Sequence, residues 1–417
     1  MQNLSHRTVP IADTPTEELR AWWEAASRAF GQPRASDESL AQWHAEVARD
    51  DWRLDGVFAP ASAVGLGEST PVGTFASTRQ SINTGGGHVE PALFITDVTV
   101  RTTHRRRGIL NTMMTGALGR ARDEGLALAA LTVTEGGIYG RFGFGVATQA
   151  TSVEVDTGPR FVLSQPLEPR VELVEAEASI ALRRAVFDAF HARTRGSHAR
   201  LAFHDALFAG TWDYEKGGPD PAVRSAVHLG ADGRPDGVVS FAFDRDHDQL
   251  KVRDLLAVTP EAELGLWEFL ASVDLVDKLV LRRFSPTSPL HWALTDPRRV
   301  RTTGVNDFTW LRVLDVPKAL GVRHFDADGE ATFEVVDPQG LAAGTWRVVV
   351  RDGRATVEPA SEASVQVEVR ALGSLYLGLV DARTLATAGQ VSGPDADVAA
   401  LAALFRTTEP PHNTSGF

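Results

Sequence analysis

The sequence predicts an α+β protein of three domains: two related α/β domains in tandem, the second a degenerate copy, and a C-terminal α+β domain. The first observation is length, because 417 residues exceed one ordinary core and domains typically hold about 100–200 residues. The second is a strand–turn–helix–strand order in the first third, which recurs more loosely in the middle third. The third is a change, from about Arg301, to short alternating strands. We therefore expect domains at residues 1–157, 158–300 and 301–417.

The first third alternates helical and extended patterns. Apolar residues recur at three- and four-residue steps in two early segments, which predicts helices over Glu17–Ala29 and Ser36–Ala48. Apolar runs predict four strands, with a triple-glycine turn between the second and third: Trp52–Phe58, Val72–Ser77, Ala92–Val100 and Leu126–Val133. The apolar face of Ile109–Arg122 predicts an amphipathic helix that follows a basic turn and ends at Gly125.

The middle third repeats this order. Three strands are predicted here: Gly237–Phe243, Leu250–Val258 and Leu279–Arg282. Between the last two, Thr259 can cap a helix with Pro260 at its first position. The start of that helix carries Glu261 and Glu263 where the first copy carries arginines, and carboxylates repel a pyrophosphate. We therefore expect this copy to be retained for structure and not to bind an anion.

The last third has a different pattern. Alternating apolar residues predict an antiparallel sheet with strands such as Ala331–Val336, Thr345–Arg351 and Ala363–Val369. The segment Gly373–Gly378 follows, and after it come two short helices rich in Ala and Leu. The chain ends in a polar tail, Thr407–Phe417, which contains two consecutive prolines.

Composition narrows the class of protein. The sequence has no cysteine, which excludes disulfides, thiolate nucleophiles and thiolate metal ligands and fits a reducing cytoplasm. A formal net charge of −12 argues against nucleic-acid binding, which needs an excess of Lys and Arg, and favours cationic small molecules. The segment Met1–Pro10 lacks the apolar core of a secretory signal, and no stretch reaches the ~20 apolar residues of a membrane span. We therefore expect a cytoplasmic protein with neither nucleic-acid nor membrane partners.

The strongest chemical signal is the basic turn Arg105-Arg106-Arg107-Gly108 between a predicted strand and a predicted helix. Glycine lets the backbone approach a ligand closely, and the free amides and dipole of a helix start favour an anion. The arginines add charge-assisted hydrogen bonds. A lone basic turn is usually only solvated, but here the strand, the glycine and the amphipathic helix fall in register, which favours a pyrophosphate site.

Three motifs in the right order resemble those of the enhanced intracellular survival (Eis) family of GNAT N-acetyltransferases: Val98–Leu110, Thr134–Gly145 and Leu372–Gly378. The chain also ends in a phenylalanine, as members of that family do. Leu110 departs from the Gly or Ala that GNAT loops prefer, and Thr134 stands where the family often has serine. The resemblance implies two GNAT-like domains, the second degenerate, and a sterol-carrier-protein-like third domain. It also implies a hexamer that acetylates amines, especially those of polycationic aminoglycosides.

The resemblance further implies a role for individual residues toward acetyl-CoA, with no metal involved. Backbone groups of Val98, Thr99 and Val100 would hydrogen-bond the pantetheine arm. Thr134 and Glu135 would lie beside the thioester. The phosphates would lie on a loop of seven residues: Arg105, Arg106, Arg107, Gly108, Ile109, Leu110 and Asn111.

Two residues are candidates for proton transfer. Amine acetylation needs a neutral amine and a protonated leaving thiol, and reference pKa values are about 8.5 for a thiol and about 10 for tyrosine. Tyr139, one of three tyrosines, closely follows a predicted strand. The residues alone leave a packing role equally open for it, and the resemblance implies the general acid. The resemblance implies that the C-terminal carboxylate of Phe417 is the base. It would act directly or through water, since a free α-carboxylate has a reference pKa of only about 3.3–3.7.

Other residues give weaker signals. Aromatic residues at helical spacing are usually core, and Trp43 is our candidate among them for contact with the acceptor. The cluster Asp244–Asp248 fits no metal-binding spacing and is typical of a polar turn. Two rival functions stay open: lipid or sterol binding by the last domain, and an inactive scaffold that senses coenzyme A. The intact basic loop argues against the first rival, and Tyr139 argues against the second.

Overall fold

The computed structural model describes residues 4–417, which form three β-sheets flanked by helices. The first part of the chain forms these elements: β1 (Ser5–Val9), α1 (Glu17–Ala29), α2 (Asp37–Arg49), β2 (Arg53–Phe58), β3 (Gly73–Gly85), β4 (His88–Val100), α3 (Ile109–Asp123), β5 (Leu128–Thr132), α4 (Gly136–Tyr139), β6 (Gly145–Val146) and β7 (Gln149–Asp156). The middle part forms these: β8 (Val171–Val174), α5 (Ala176–Arg193), α6 (Ala202–Ala209), β9 (Arg224–Leu229), β10 (Pro235–Asp244), β11 (Gln249–Ala257), α7 (Pro260–Ala271), β12 (Lys278–Phe284), α8 (Leu290–Ala293) and β13 (Val300–Asp307).

The last part of the chain forms these elements: β14 (Thr309–Val313), α9 (Val316–Val322), β15 (Gly329–Val336), β16 (Gly344–Arg351), β17 (Arg354–Pro359), β18 (Val365–Glu368), α10 (Val369–Tyr376), α11 (Ala382–Thr387), β19 (Val391–Ser392) and α12 (Asp395–Phe405). Within residues 4–417, no helix is long and apolar enough to cross a membrane.

A capping side chain marks the start of each of the first two helices. Thr16 caps α1 by accepting a hydrogen bond from the Leu19 amide, and Ser36 caps α2 in the same way. The predicted α1 is confirmed, and α2 begins one residue later than predicted because Ser36 is its cap. The triple glycine closes the hairpin of β3 and β4, which is longer than predicted. Strand β1 was not predicted from the sequence.

The first two sheets share a local plan. In the first, the strand order is β1-β2-β3-β4-β5-β14-β6, with β4 and β5 parallel and joined through α3. In the second, the order is β13-β7-β12-β11-β10-β9-β8, with β11 and β12 parallel and joined through α7. The predicted tandem repeat of strand, helix and strand is therefore confirmed. The Asp244–Asp248 cluster forms the turn between β10 and β11, as predicted.

The domain boundaries predicted from the sequence do not coincide with the sheets. Strand β7 falls inside the predicted first domain, 1–157, but lies between β12 and β13 in the second sheet. Strand β14 falls inside the predicted third domain, 301–417, but lies between β5 and β6 in the first sheet. Alternation of apolar residues identifies a strand and not its distant partner, so the sequence pattern missed this exchange. The two exchanged strands tie the sheets together.

The third sheet has the order β17-β16-β15-β18-β19, and its β15 and β18 are parallel. The expected antiparallel sheet is confirmed at the other three pairings and is wrong at this one, because half-buried strands alternate in either orientation. Helix α10, which carries the first four residues of the Gly373–Gly378 motif, packs directly on β6 and β14. A β-carbon at Gly373 would lie 2.2 Å from the Leu311 carbonyl oxygen, and one at Gly145 would lie 1.9 Å from that of Arg370. These glycines let the third domain and the first sheet share one continuous core.

Candidate active site

A cleft of about 630 Å³ opens where β4 and β5 separate. The two strands pair only along Leu93–Ile95 and Ala129–Leu131, so the end of β4 has no neighbour on that side. We call this the first cleft. Its lining includes eleven of the twelve predicted cofactor-binding residues: Val98, Thr99, Val100, Arg105, Arg106, Gly108, Ile109, Leu110, Asn111, Thr134 and Glu135. The structure therefore brings these eleven residues together, and their binding of acetyl-CoA stays a prediction.

A bulge in β4 shapes the floor of the first cleft. Pairing between β3 and β4 shifts between Thr74 and Ala76, and Asp97 takes a left-handed backbone with a φ of 49°. The Thr74 hydroxyl donates to the Asp97 carbonyl oxygen at 2.8 Å and holds the bulge. Burial raises the pKa of Asp97 to about 6. No sequence motif marks Asp97, which directly precedes the cleft-lining Val98.

The basic loop places the first residues of α3 in the lining of the first cleft. Arg106 and Gly108 both have left-handed backbones, with φ of 61° and 78°. No side chain caps the first turn of α3, so its amides are left for a ligand. The space around Gly108 is open, so its left-handed backbone, and not crowding, favours glycine there. Free amides, a helix dipole and two guanidinium groups form an anion-binding arrangement.

Arg107 is the predicted cofactor-binding residue that does not line the first cleft. Its guanidinium donates to the Thr103 carbonyl oxygen at 3.1 Å. His104 lines the cleft instead, although it was not predicted. Partial burial lowers the pKa of His104, and the charges of Arg107 and Arg101 lower it further, so its neutral form is favoured.

Tyr139 lies at the end of α4 and lines the same cleft as the basic loop. Its ring meets Phe144 edge-on, with centroids 6.4 Å apart. Burial raises the pKa of the Tyr139 hydroxyl, and the negative charge of Glu135 raises it further. The hydroxyl therefore keeps its proton at neutral pH, which a general acid requires.

The C-terminus docks against β4 and β5. The Phe417 ring stacks on Phe94, with centroids 4.3 Å apart and planes 18° from parallel, and meets His198 edge-on. The Thr132 hydroxyl donates to a terminal oxygen of Phe417 at 2.5 Å. Thr132 ends β5, and Thr134 two residues later lines the first cleft. The carboxylate thus lies at the end of the strand that leads to Tyr139.

No sequence motif marks the side chains that hold Phe417. Phe94 and Thr132 lie in strands whose patterns predict only burial, and His198 lies in a loop with no motif. Each of them contacts a residue more than 200 positions away in the sequence; Thr132 and Phe417, for example, are 285 residues apart.

Trp43, the predicted acceptor contact, forms an aromatic stack. Its ring lies 5.1 Å from that of Trp23 and 6.0 Å from that of Trp22, nearly parallel to both. It packs against the cluster of α1 and β2 and is not among the residues that line the first cleft. Its contact with an acceptor stays a prediction.

The second domain has a cleft of about 740 Å³ at the equivalent place, which we call the second cleft. It is bordered by the end of β11, the start of α7 and residues that follow β12, together with Thr408–Pro410 and His412 of the tail. Glu263 lines it, and burial raises the pKa of this carboxyl even though Ser288 donates to it. The first turn of α7 carries Glu261 and Glu263, and the arginines that line the second cleft, Arg193, Arg195 and Arg283, come from other elements.

Comparisons with known proteins agree with this geometry. The acetyltransferase (GNAT) domain family matches residues 11–147, and a second GNAT domain family matches residues 207–313. The sterol carrier protein domain family matches residues 316–414. The chain is thus an N-acetyltransferase of the GNAT class, with two GNAT domains and a sterol-carrier-protein-like domain.

Relatives that match over most of both chains identify the family within this class. An uncharacterized N-acetyltransferase of Streptomyces avermitilis is 34% identical over 96% of each chain. N-acetyltransferase Eis of Mycobacterium tuberculosis is 32% identical over 87% of this chain and 88% of its own. The structure of Eis1 from Mycobacterium abscessus matches with a TM-score of 0.82 at 27% identity, over 99% of this chain and 100% of that one. The chain belongs to the Eis family of N-acetyltransferases.

Proposed function

We propose that this enzyme transfers the acetyl group of acetyl-CoA to an amine of a small polycationic acceptor, with aminoglycosides as the candidate class. The observation that carries the proposal is a single cleft with the basic loop along one part of its lining and Tyr139 along another. The loop and the start of α3 suit the phosphates of coenzyme A. The backbone of Val98–Val100, which lines the cleft, suits the amide-rich pantetheine arm, which would lead toward Tyr139.

The chemistry requires two proton transfers. The acceptor nitrogen attacks the thioester carbonyl, a C–N bond forms, and the C–S bond breaks. Tyr139 donates its proton to the leaving sulfur, and solvent reprotonates the phenolate. The carboxylate of Phe417 takes the proton of the acceptor amine, directly or through a water. Thr132 and Phe94 support this role because they fix the carboxylate and its ring beside β5.

The nature of the acceptor and the assembly are proposed from the family. The net charge of −12 favours a cationic acceptor. A homo-hexamer and a cytoplasmic location stay predictions, the first from family membership and the second from the lack of cysteine. Sedimentation or light scattering of the purified protein tests the hexamer.

The test of the proposed function combines binding and turnover. Acetyl-CoA should raise the melting temperature, and release of free thiol should depend on an added amine, most strongly on aminoglycosides. A protein that binds acetyl-CoA but turns over no amine would support the inactive sensor, and one that binds only lipid would support the lipid-binding alternative. Deletion of Phe417, compared with an N-terminally tagged full-length control, should abolish most turnover while acetyl-CoA still binds. Full activity after this deletion would exclude the carboxylate as base.

A further inference from the structure

We propose that the second domain binds the chain's own C-terminal tail along β11 and β12, where the first domain binds its cofactor, and that Arg200 is the positioning residue for the terminal carboxylate. The proposal rests on the proposed role of Phe417 as the base. The second domain would then contribute to the reaction, because it would position the carboxylate of Phe417, a group that lies outside that domain.

The path of the tail follows the second domain. Thr408–Pro410 and His412 border the second cleft, and the His412 amide donates to the Arg195 carbonyl oxygen at 2.9 Å. Gly196 faces Pro411 so closely that a β-carbon there would lie 2.9 Å from the proline ring. The tail therefore forms part of the lining of the second cleft, whereas the lining of the first cleft contains no tail residue.

Further along, the tail meets one guanidinium group. Arg200 donates from Nε to the Ser415 hydroxyl at 2.9 Å and from Nη2 to the Thr414 hydroxyl at 3.2 Å. Its side chain is only 6% exposed. These bonds fix the two residues that precede Gly416 and Phe417, and so they determine where the carboxylate can lie.

Arg200 is itself held from two sides. Its Nη1 donates to Oδ2 of Asp254 at 2.9 Å, its Nη2 also bonds Oδ1, and its guanidinium lies 4.7 Å from the ring centroids of Phe187 and Phe208. Asp254 lies on β11, is 1% exposed, and pairs in addition with the buried Arg183. The planar guanidinium group of Arg200, with its five N–H donors, hydrogen-bonds Asp254 and the tail at the same time, and the compact ammonium group of a lysine cannot do this.

The end of the tail is also held beside β12 and β14. A β-carbon at Gly416 would lie 3.6 Å from Nη2 of Arg283, a β12 residue whose guanidinium is 4.9 Å from the Phe308 ring centroid. The Asn413 side-chain amide donates to His198 Nε2 at 2.6 Å and to the Thr309 hydroxyl at 3.2 Å. Thr309 belongs to β14 in the first sheet, so the tail is anchored to both sheets before it reaches Thr132.

The test uses Arg200→Lys in the full-length enzyme, which keeps the charge and removes the fork. We expect kcat to fall about 10–100-fold while the KM for acetyl-CoA changes less than twofold, since no contact to the first cleft is lost. The matched control is Arg184→Lys, because Arg184 also pairs with an aspartate, Asp205, but on the exposed side of the same domain and away from the tail. Its kcat should equal that of the wild type.

A double-variant cycle separates positioning from general damage. If Arg200 acts through the tail, Arg200→Lys should lower the activity of the enzyme lacking Phe417 no further. Independent, multiplying effects of the two changes would overturn the proposal and leave the base assignment intact. Full activity without Phe417 would instead overturn the base assignment and the proposal with it.

A second variant covers the case in which Arg200→Lys fails to fold. Thr414→Val combined with Ser415→Ala leaves Arg200 and Asp254 paired and removes only the bonds to the tail. This enzyme should show the same loss of kcat and the same unchanged KM for acetyl-CoA. Wild-type kcat in this variant would show that the bonds do not position the carboxylate and would overturn the proposal.

Discussion

The first and second domains fold the same strand–helix–strand unit and differ in what covers the start of its helix. In the first, Gly108 leaves the amides of α3 uncapped, and Arg105 and Arg106 lie beside them. In the second, the Thr259 hydroxyl accepts from the Ala262 amide at 3.1 Å, and Pro260 has no amide hydrogen to offer. The same fold therefore accommodates an uncapped helix start in one domain and a capped one in the other.

Cavity size does not distinguish the two clefts. The second is the larger, about 740 Å³ against about 630 Å³, yet its helix start presents carboxylates and its mouth is bordered by the tail. Glu263 is buried there, and burial raises its pKa. The proposed assignment of acetyl-CoA to the first cleft therefore depends on its basic loop and uncapped helix start, and not on its volume.

The largest effect should come from Tyr139→Phe, which keeps the ring and removes the proton. We expect kcat to fall about 10²–10⁴-fold while acetyl-CoA affinity stays similar. Steady-state kinetics and calorimetry check this, and wild-type turnover in the variant would remove Tyr139 from the mechanism. Because its pKa is raised above the ordinary value of about 10, Tyr139 stays protonated below that pH, so its ionisation should cause no fall in kcat there.

The next effect tests the basic loop. Arg105→Ala combined with Arg106→Ala should raise the KM for acetyl-CoA about 10²-fold, since each charge-assisted hydrogen bond contributes about 1.5–3 kcal/mol before solvent screening. Arg122→Ala is the matched control, because Arg122 is exposed in the last turn of the same helix. An unchanged KM in the folded double variant would contradict the assignment of the first cleft.

The sequence predicted the first cleft well and the environment of the tail poorly, for a physical reason. The basic loop and the strand–helix–strand order are local patterns, and the family motifs that they carry implied the eleven residues that lie together in the first cleft. The exchange of β7 and β14, the bulge at Asp97 and the pairing of Arg200 with Asp254 join distant segments. A single sequence carries no record of such contacts, and the buried arginine had no motif to mark it.

A smaller effect concerns the stability of the folded protein at acidic pH. Burial lowers the pKa of His198 to about 3 and of His412 to about 4, so both stay neutral in the folded enzyme. In the unfolded chain they take up a proton below pH ~6.5, so the free energy of unfolding falls as pH falls from about 6.5, by about 1.4 kcal/mol per pH unit for each histidine. Urea unfolding at pH 5 and pH 7 should show a smaller difference for His198→Gln than for the wild type. The solvent-exposed His247, replaced in the same way, is the control, and an equal difference in the His198 and control variants would refute the prediction.

The smallest expected effect is an absence: one acetyl-CoA should bind per chain, and none in the second cleft. Glu261 and Glu263 lie in the first turn of α7, and Thr259 and Pro260 leave its amides little to offer a phosphate. Exchanging Glu261 for Arg should not create a second site, because the tail still borders the mouth of that cleft and the cap is unchanged. Calorimetry on the wild type and on this variant should give the same stoichiometry. A second site that survives Arg105→Ala with Arg106→Ala would show that the second domain has kept a cofactor site, and the contrast between the two clefts would then be wrong.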